Sequence, residues 1–215
     1  QKILTGLITS SSGSVQVNGV ESKHHDSSFY ESVGVDFEFP TLYEKFTALQ
    51  IVAYFGPLYA SPLRPTDELL EMVGLQNDGD KRVSDYSKGM KSRLNFIKAL
   101  LHNPAILFLD EPTSGLDPTN SRMMKDIILE EKKKGKTIIL TTHNMYDATE
   151  LCNQDAFIVG GKVSALGSPR ELIMSRGAAK VQYSYRDDSG QERTAESLLD
   201  HTATDRKLLE LLRSN

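Results

Sequence analysis

The sequence predicts an α/β fold: a parallel sheet covered by helices on both faces and interrupted by a helical insertion from about residue 47 to residue 103. Three observations predict it. Strand-like stretches ("ESVGVDF", "AILFL", "TIILTTH", "DAFIVGG") alternate with helix-spaced segments, the order from which parallel sheets are built. Residues 105–109 are apolar at every position, as a strand buried on both faces requires. Residues 47–103, by contrast, carry helical spacing, with Pro57, Pro62 and Pro65 separating two short helices at 47–59 and 66–73.

Taken in order, "QKILTGLITSSSG" has Ile3, Leu4, Leu7 and Ile8 at helix spacing and reads as a helix entered midway. The final "TDRKLLELLRSN" stops as abruptly, so a fragment is expected. "SGSVQVNGVE" alternates Val15 and Val17 with polar residues and turns at Asn18-Gly19, which signals a hairpin. "SKGMKSRLNFIKALLHN" is an amphipathic helix with Leu94, Phe96, Ile97, Leu100 and Leu101 on its apolar side and Pro104 as its stop. Pro118 opens a further helix that ends in Lys132, Lys133, Lys134 and Gly135, where lysines suit the negative end of the helix dipole. A helix at 145–151 separates the last two strands. From Lys180, "VQYSYR" alternates again, followed by an Asp-Ser-Gly turn and a last helix.

Composition narrows the function. With 39% hydrophobic and 25% charged residues the chain has globular composition. A net charge of −4 disfavours a nucleic-acid partner held through phosphate contacts. No apolar run exceeds the five residues 105–109, far below the roughly 20 that cross a bilayer. The single cysteine, Cys152, suits a reducing compartment and reads as a buried spacer. His24, His25, His102 and His201 read as surface residues.

Chemistry concentrates where the apolar strand meets Asp110 and Glu111. In an α/β sheet, sites lie at the carboxyl ends of strands. Two adjacent acids there suit a division of labour, one holding Mg²⁺ and the other polarising water. An isolated match of this kind fits a simple strand cap before Pro112 equally well, so context decides. "YSKGM" lies upstream at a helix start, "SGLD" follows the acids, and a strand ending in "TTH" comes about thirty residues later. In order and spacing these resemble the ATP-binding subunit of ATP-binding-cassette (ABC) transporters, over nearly the whole chain.

The resemblance implies a P-loop NTPase (RecA-like) core at residues 1–46 and 104–170, a helical subdomain at 47–103, and an accessory hairpin and helix at 171–215. It implies ATP and Mg²⁺ as cofactors, with Asp110 the Mg²⁺-holding acid and Glu111 the catalytic base. Ser87, Lys88 and Gly89 match the signature motif that faces the γ-phosphate on a second subunit. Here the chain reads Tyr86-Ser-Lys-Gly-Met90 instead of the usual Leu-Ser-Gly-Gly-Gln, so Lys88 adds a positive charge near the phosphate. His143 matches the switch histidine that orients water. Ser114 and Asp117 bound the loop that crosses the dimer interface, although a plain turn before a Pro-initiated helix would read alike. Glu38 takes the place of the Mg²⁺-sensing glutamine; a shifted register offers Asp36 instead, and Glu38 also reads as a solvated acid between aromatics.

Seven of the sixteen Phe and Tyr residues fall between positions 37 and 59 (Phe37, Phe39, Tyr43, Phe46, Tyr54, Phe55, Tyr59). The expectation is core first, with docking of a helix from the membrane subunit as the second use that the resemblance implies. The partners implied are a transmembrane permease subunit and a second nucleotide-binding subunit in a homodimer, with no nucleic acid. The implied location is cytoplasmic, peripheral on the inner face of the cell membrane.

One element is missing from the pattern. A phosphate loop reads G-x-x-x-x-G-K-[ST] between a strand and a helix. The nearest match, Gly135-Lys136-Thr137, has Glu130 at the first glycine and leads from a helix into a strand. By resemblance the loop would end just before Gln1, and residues 1–215 alone are expected to lack appreciable ATPase activity. Two readings remain open: the motor of an exporter of the drug, antibiotic or sodium type, or a silent module that dimerises with an active partner. A soluble cassette ATPase of translation or repair lacks support, since the chain has neither a second cassette nor a basic patch.

Overall fold

Residues 1–39, 41–176, 180–187, 190–198, 205 and 208–210 are described by the computed structural model. Contacts divide the chain into two compact units, Gln1–Leu151 and Cys152–Asn215, whereas the sequence pattern places the division near residue 170.

The first unit opens on a helix-ending turn. The Gly6 amide bonds to the Ile3 carbonyl and the Leu7 amide to the Lys2 carbonyl, the paired closure that terminates helices. Asn18 (φ 52°) and Gly19 (φ 78°) then join β1 (Gln16–Val17) to β2 (Val20–Glu21), the positive φ pair that an Asn-Gly hairpin needs. Asp26 accepts from the Phe29 amide and so caps α1 (Ser27–Ser32), which runs into β3 (Val33–Asp36).

The insertion follows. A Thr47–Gln50 capping box starts α2 (Ala48–Phe55), Pro65 precedes α3 (Thr66–Met72), and Ser87 caps α4 (Lys88–Leu100). The apolar run then becomes β4 (Ile106–Asp110), Pro118 opens α5 (Pro118–Lys133), and β5 (Thr137–Thr141) and α6 (Met145–Leu151) complete the unit.

β3, β4 and β5 form a parallel sheet with β4 in the middle. Leu107, Phe108 and Leu109 are fully buried although successive side chains point to opposite faces, so both faces of β4 are covered. Burying each contributes about 1.5–3 kcal/mol. Phe108 joins Val17, Phe29 and Val33 in one cluster, and Leu94, Phe96, Ile97, Leu100 and Leu101 of the α4 region are equally buried. Helix α4 lies so close to β3 that a methyl group on Gly34 would stand 2.1 Å from the Ala99 carbonyl oxygen, a position only glycine can fill.

Several expectations need correction. "DAFIVGG" is not part of the parallel sheet among the described residues: β6 (Asp155–Val159) pairs antiparallel with β7 (Lys162–Gly167) through Gly160 and Gly161, a hairpin signal that outweighs the apolar run. Cys152 is half-buried rather than buried. His102 is buried, not on the surface; it stacks on Tyr59 at 3.7 Å and its Nε2 lies 3.1 Å from the Val33 carbonyl oxygen. His25 is half-buried and stacks on Phe29 at 3.4 Å. His24 is exposed, and His201 lies outside the described residues. None of the seven aromatics at 37–59 is buried.

The second unit continues with α7 (Pro169–Arg176) and an antiparallel pair, β8 (Lys180–Arg186) with β9 (Glu192–Leu198). Of the expected last helix, only residues 208–210 are described, and they are helical. No helix among the described residues is long and apolar enough to cross a membrane.

A buried carboxylate ties the insertion to the sheet. Glu131 is fully buried and meets Arg64 (3.0 Å), Lys134 (2.8 Å) and Lys136 (3.3 Å). Burial alone would raise its pKa, but the Lys134 bond and the charges of Arg64 and Lys136 outweigh it and hold the carboxyl below its usual 4.5. Its stabilisation is therefore complete above pH 4.5 and is lost as pH falls through the lowered value. Glu131→Gln should cost about 3–5 kcal/mol in urea unfolding at pH 7, by leaving the buried Lys136 without a carboxylate and Arg64 with Glu68 alone, and the penalty should shrink as pH falls below 4.5.

Candidate functional site

The carboxyl ends of β4 and β5 lie side by side because Asp110 pairs in register with Thr141. The Thr141 hydroxyl donates to Asp110 Oδ1 and accepts from Gln1 Nε2 at 3.1 Å, while Gln1 Nε2 also donates to the Leu109 carbonyl oxygen at 2.8 Å. Asp110 is thereby presented at the sheet edge by a short polar chain.

Glu111 leaves the strand in a left-handed conformation (φ 51°), an arrangement that costs a non-glycine residue of order 1–3 kcal/mol. Its backbone amide still bonds to the Thr141 carbonyl at 2.9 Å, so the twist turns the side chain without freeing the backbone. Glu111 Oε1 accepts from both the backbone amide and Nδ1 of His143, each at 2.8 Å, and Oε2 accepts from the Thr142 hydroxyl at 3.3 Å. A carboxylate only accepts, so Nδ1 carries the proton and Nε2 faces away. The Glu111 bond, then the Glu111 charge and more distantly the exposed Glu38 carboxylate, hold the His143 imidazole above its usual 6.5.

The turn beyond Glu111 is fixed from below. Ser114 donates its amide to the Glu111 carbonyl at 3.0 Å, and the Thr113 hydroxyl reaches the buried Asp147 of α6 at 2.6 Å. Lys125 of α5 stands 3.3 Å from Asp147. Asp117 is the N-cap of α5 and accepts from the amides of Thr119 and Asn120 at 3.1 Å. That turn also meets the start of α4: a methyl on Gly115 would lie 3.1 Å from Lys88 Nζ, and one on Gly89 3.4 Å from Leu116. Ser87 and Lys88 are exposed, and the Ser87 hydroxyl accepts from the Met90 amide at 3.2 Å.

The structure thus brings together Asp110, Glu111 and His143 as one group, and Lys88 and Gly89 with the 114–117 turn as another. Glu38 stays exposed beyond the end of β3. Asp36 is buried at that strand end and bonded to Asn95 at 2.5 Å, and burial, opposed by that bond, pushes its carboxyl up to about 7. Unlike Glu38, it is closed off from solvent. Sequence reasoning missed Thr141, Thr142, Asp147 and Gln1. Two hydroxyls directly before His143 were a legible signal; the Thr113–Asp147 contact spans 34 positions and left none.

Among the described residues no three His, Cys, Asp or Glu side chains form a metal cage. Mg²⁺ does not need one, because it takes one or two carboxylates and fills its octahedron with waters and substrate phosphates. The donors at the strand ends, the Asp110 carboxylate and the Thr141 hydroxyl, are all oxygen and fit that ion.

A model of the ABC transporter family matches residues 1–114. The fluoroquinolones export ATP-binding protein of Mycobacterium tuberculosis is 44% identical over 215 residues, which cover all of this chain and 71% of that protein. The ATP-binding subunit of an ABC transporter superposes with a TM-score of 0.73 at 26% identity, over 82% of this chain and 75% of that one. A dimeric ATP-binding cassette in a post-hydrolysis state with ADP and Pi gives a TM-score of 0.70 at 21% identity, over 79% of this chain and 78% of that one, a likeness of fold. With the strand-end acids and these matches together, the chain belongs to the ABC transporter family, among its ATP-binding subunits.

Proposed function

We propose that the chain is the ATP-binding and ATP-hydrolysing subunit of an exporter. The observation that carries the reading is the Glu111–His143 pair: an acid held in a strained backbone conformation, with its carboxylate fixed by two donors of one histidine. A silent module has no use for that arrangement. In this reading Asp110 and Glu38 would hold Mg²⁺, which would neutralise phosphate charge. Glu111 accepts the proton of the attacking water, and His143 orients it through the ring edge not bonded to Glu111. Ser87, Lys88 and Gly89 offer a γ-phosphate-binding helix end to the nucleotide of a second copy, with Ser114 and Asp117 lining the seam. The export role is supported by the mycobacterial relative, a fluoroquinolones export ATP-binding protein.

A transmembrane permease subunit is the proposed membrane partner, and the exposed rings are its docking face. Tyr43, Phe46, Tyr54 and Phe55 pack against one another, mostly edge to face, with centroids 5.2–6.5 Å apart, and Tyr43 and Tyr54 are each half exposed. Exposed aromatics in contact are the composition of an interface centre rather than of a solvated face. In this reading the protein lies on the cytoplasmic side of the membrane, held there by its partner.

Residues 1–215 contain no G-x-x-x-x-G-K-[ST], and backbone amides and a lysine of that loop supply most phosphate contacts in the family. Calorimetric titration of this 215-residue polypeptide with MgATP should therefore show no micromolar binding, and a micromolar Kd would refute the point. In the native gene product, Glu111→Gln should lower kcat by about 10²–10⁴-fold while leaving MgATP binding intact, the loss expected of a general base. Titration by NMR should find the His143 midpoint above 6.5 in the parent protein and returned toward 6.5 by Glu111→Gln, with a smaller fall for Glu38→Gln. The Glu111–His143 attraction is complete below 6.5 and fades as pH rises through the raised midpoint.

A further inference from the structure

A polar pair is buried where β3 meets α4. Gly34 and Asp36 share a face of β3, two residues apart, and Asn95 and Ala99 share a face of α4, four residues apart. The faces touch at both levels: Gly34 against the Ala99 carbonyl, and Asp36 Oδ1 accepting from Asn95 Nδ2 at 2.5 Å. Asp36 and Asn95 are each only 3% exposed, and Asn95 Oδ1 is buried with no hydrogen-bond partner. Such burial is costly, and replacement of a buried polar pair by apolar residues is often neutral or stabilising. Packing alone does not explain the choice.

What the pair holds does. The same Asn95 amide also donates to the Phe37 carbonyl at 3.3 Å, so one side chain of α4 grips the last residue of β3 and the first residue beyond it. Glu38 follows immediately. On the other side, Asp36 pairs in register with Leu109, the residue before Asp110.

We propose that Asn95, through Asp36 and the Phe37 carbonyl, is a positioning residue that sets the placement of Glu38 relative to Asp110 and so tunes the affinity of the site for its divalent cation. The proposal rests on the reading of Asp110 and Glu38 as the Mg²⁺ site. Asn95 touches neither cation nor nucleotide. It acts by fixing the exit of β3 to the helix whose backbone approaches the strand closely at Gly34 and Ala99.

The test is the Mg²⁺ concentration that half-saturates ATP hydrolysis by the native gene product, measured alongside thermal midpoints. Asn95→Leu should raise half-saturating Mg²⁺ about tenfold, the lower end of the effect of groups that orient metal ligands, with kcat at saturating Mg²⁺ changed far less. The double variant Asp36→Leu/Asn95→Leu replaces the pair with an apolar one and should keep its thermal midpoint yet show the same Mg²⁺ shift. Asp36→Asn retains an acceptor oxygen and should keep the parent Mg²⁺ requirement. Lowered thermal midpoints with unchanged Mg²⁺ half-saturation would make the pair merely structural and overturn the proposal. A shift in Asp36→Asn as large as in Asn95→Leu would overturn it too, since charge and not the hydrogen bond would then be acting. A parent protein with no Mg²⁺-dependent hydrolysis would remove the functional reading itself, and this proposal with it.

Discussion

Everything at the site depends on β4 being the central strand of a parallel sheet. Parallel pairing brings the carboxyl ends of β3, β4 and β5 to one edge, and the registers set which residues meet there: Asp36 beside Leu109, Asp110 beside Thr141. Because Leu107, Phe108 and Leu109 are buried on both faces, the strand cannot shift without exposing its whole side-chain set to the wrong layer. Asp110 and Glu111 therefore emerge at a fixed height, and a fixed height is what a carboxylate needs in order to serve a bound ion or a single water.

The second constraint is the left-handed turn at Glu111. A continuing strand would send successive side chains to opposite faces. The turn at Glu111 instead gives its carboxylate both donors of His143 while the Thr141 carbonyl keeps the backbone paired. The anchoring below it, Thr113 to Asp147 and Asp147 to Lys125, links that turn to two helices of the same unit. Strain at one residue persists because several neighbours determine it together.

The fold and most of the site were legible because their signals are local. An all-apolar five-residue run gave the buried strand, Asn-Gly gave the hairpin, and Ser87, Asp117 and Thr47 head their helices as N-caps. What was not legible depended on long-range packing. His102 looks like any polar residue after a helix, yet Tyr59 and the Val33 carbonyl enclose it. Aromatics at 37–59 look like core by type, but the insertion's interior is filled by Ile51, Val52, Leu69, Leu70 and the leucines of α4, leaving the rings outside. "DAFIVGG" differs from expectation because a short apolar run reads alike in a parallel sheet and in a hairpin, and only the Gly-Gly pair that follows separates the two cases.

The most direct test of the central claim is the position of a metal ion. Crystals of the native gene product grown with Mn²⁺ and a non-hydrolysable ATP analogue would locate it by anomalous scattering, since Mn²⁺ takes the same oxygen ligands as Mg²⁺. A site at the strand ends predicts one anomalous peak within coordination distance of the Asp110 carboxylate, directly or through one water, with Glu111 beyond it still facing His143. A peak elsewhere, with Asp110 still bonded only to Thr141, would contradict the account.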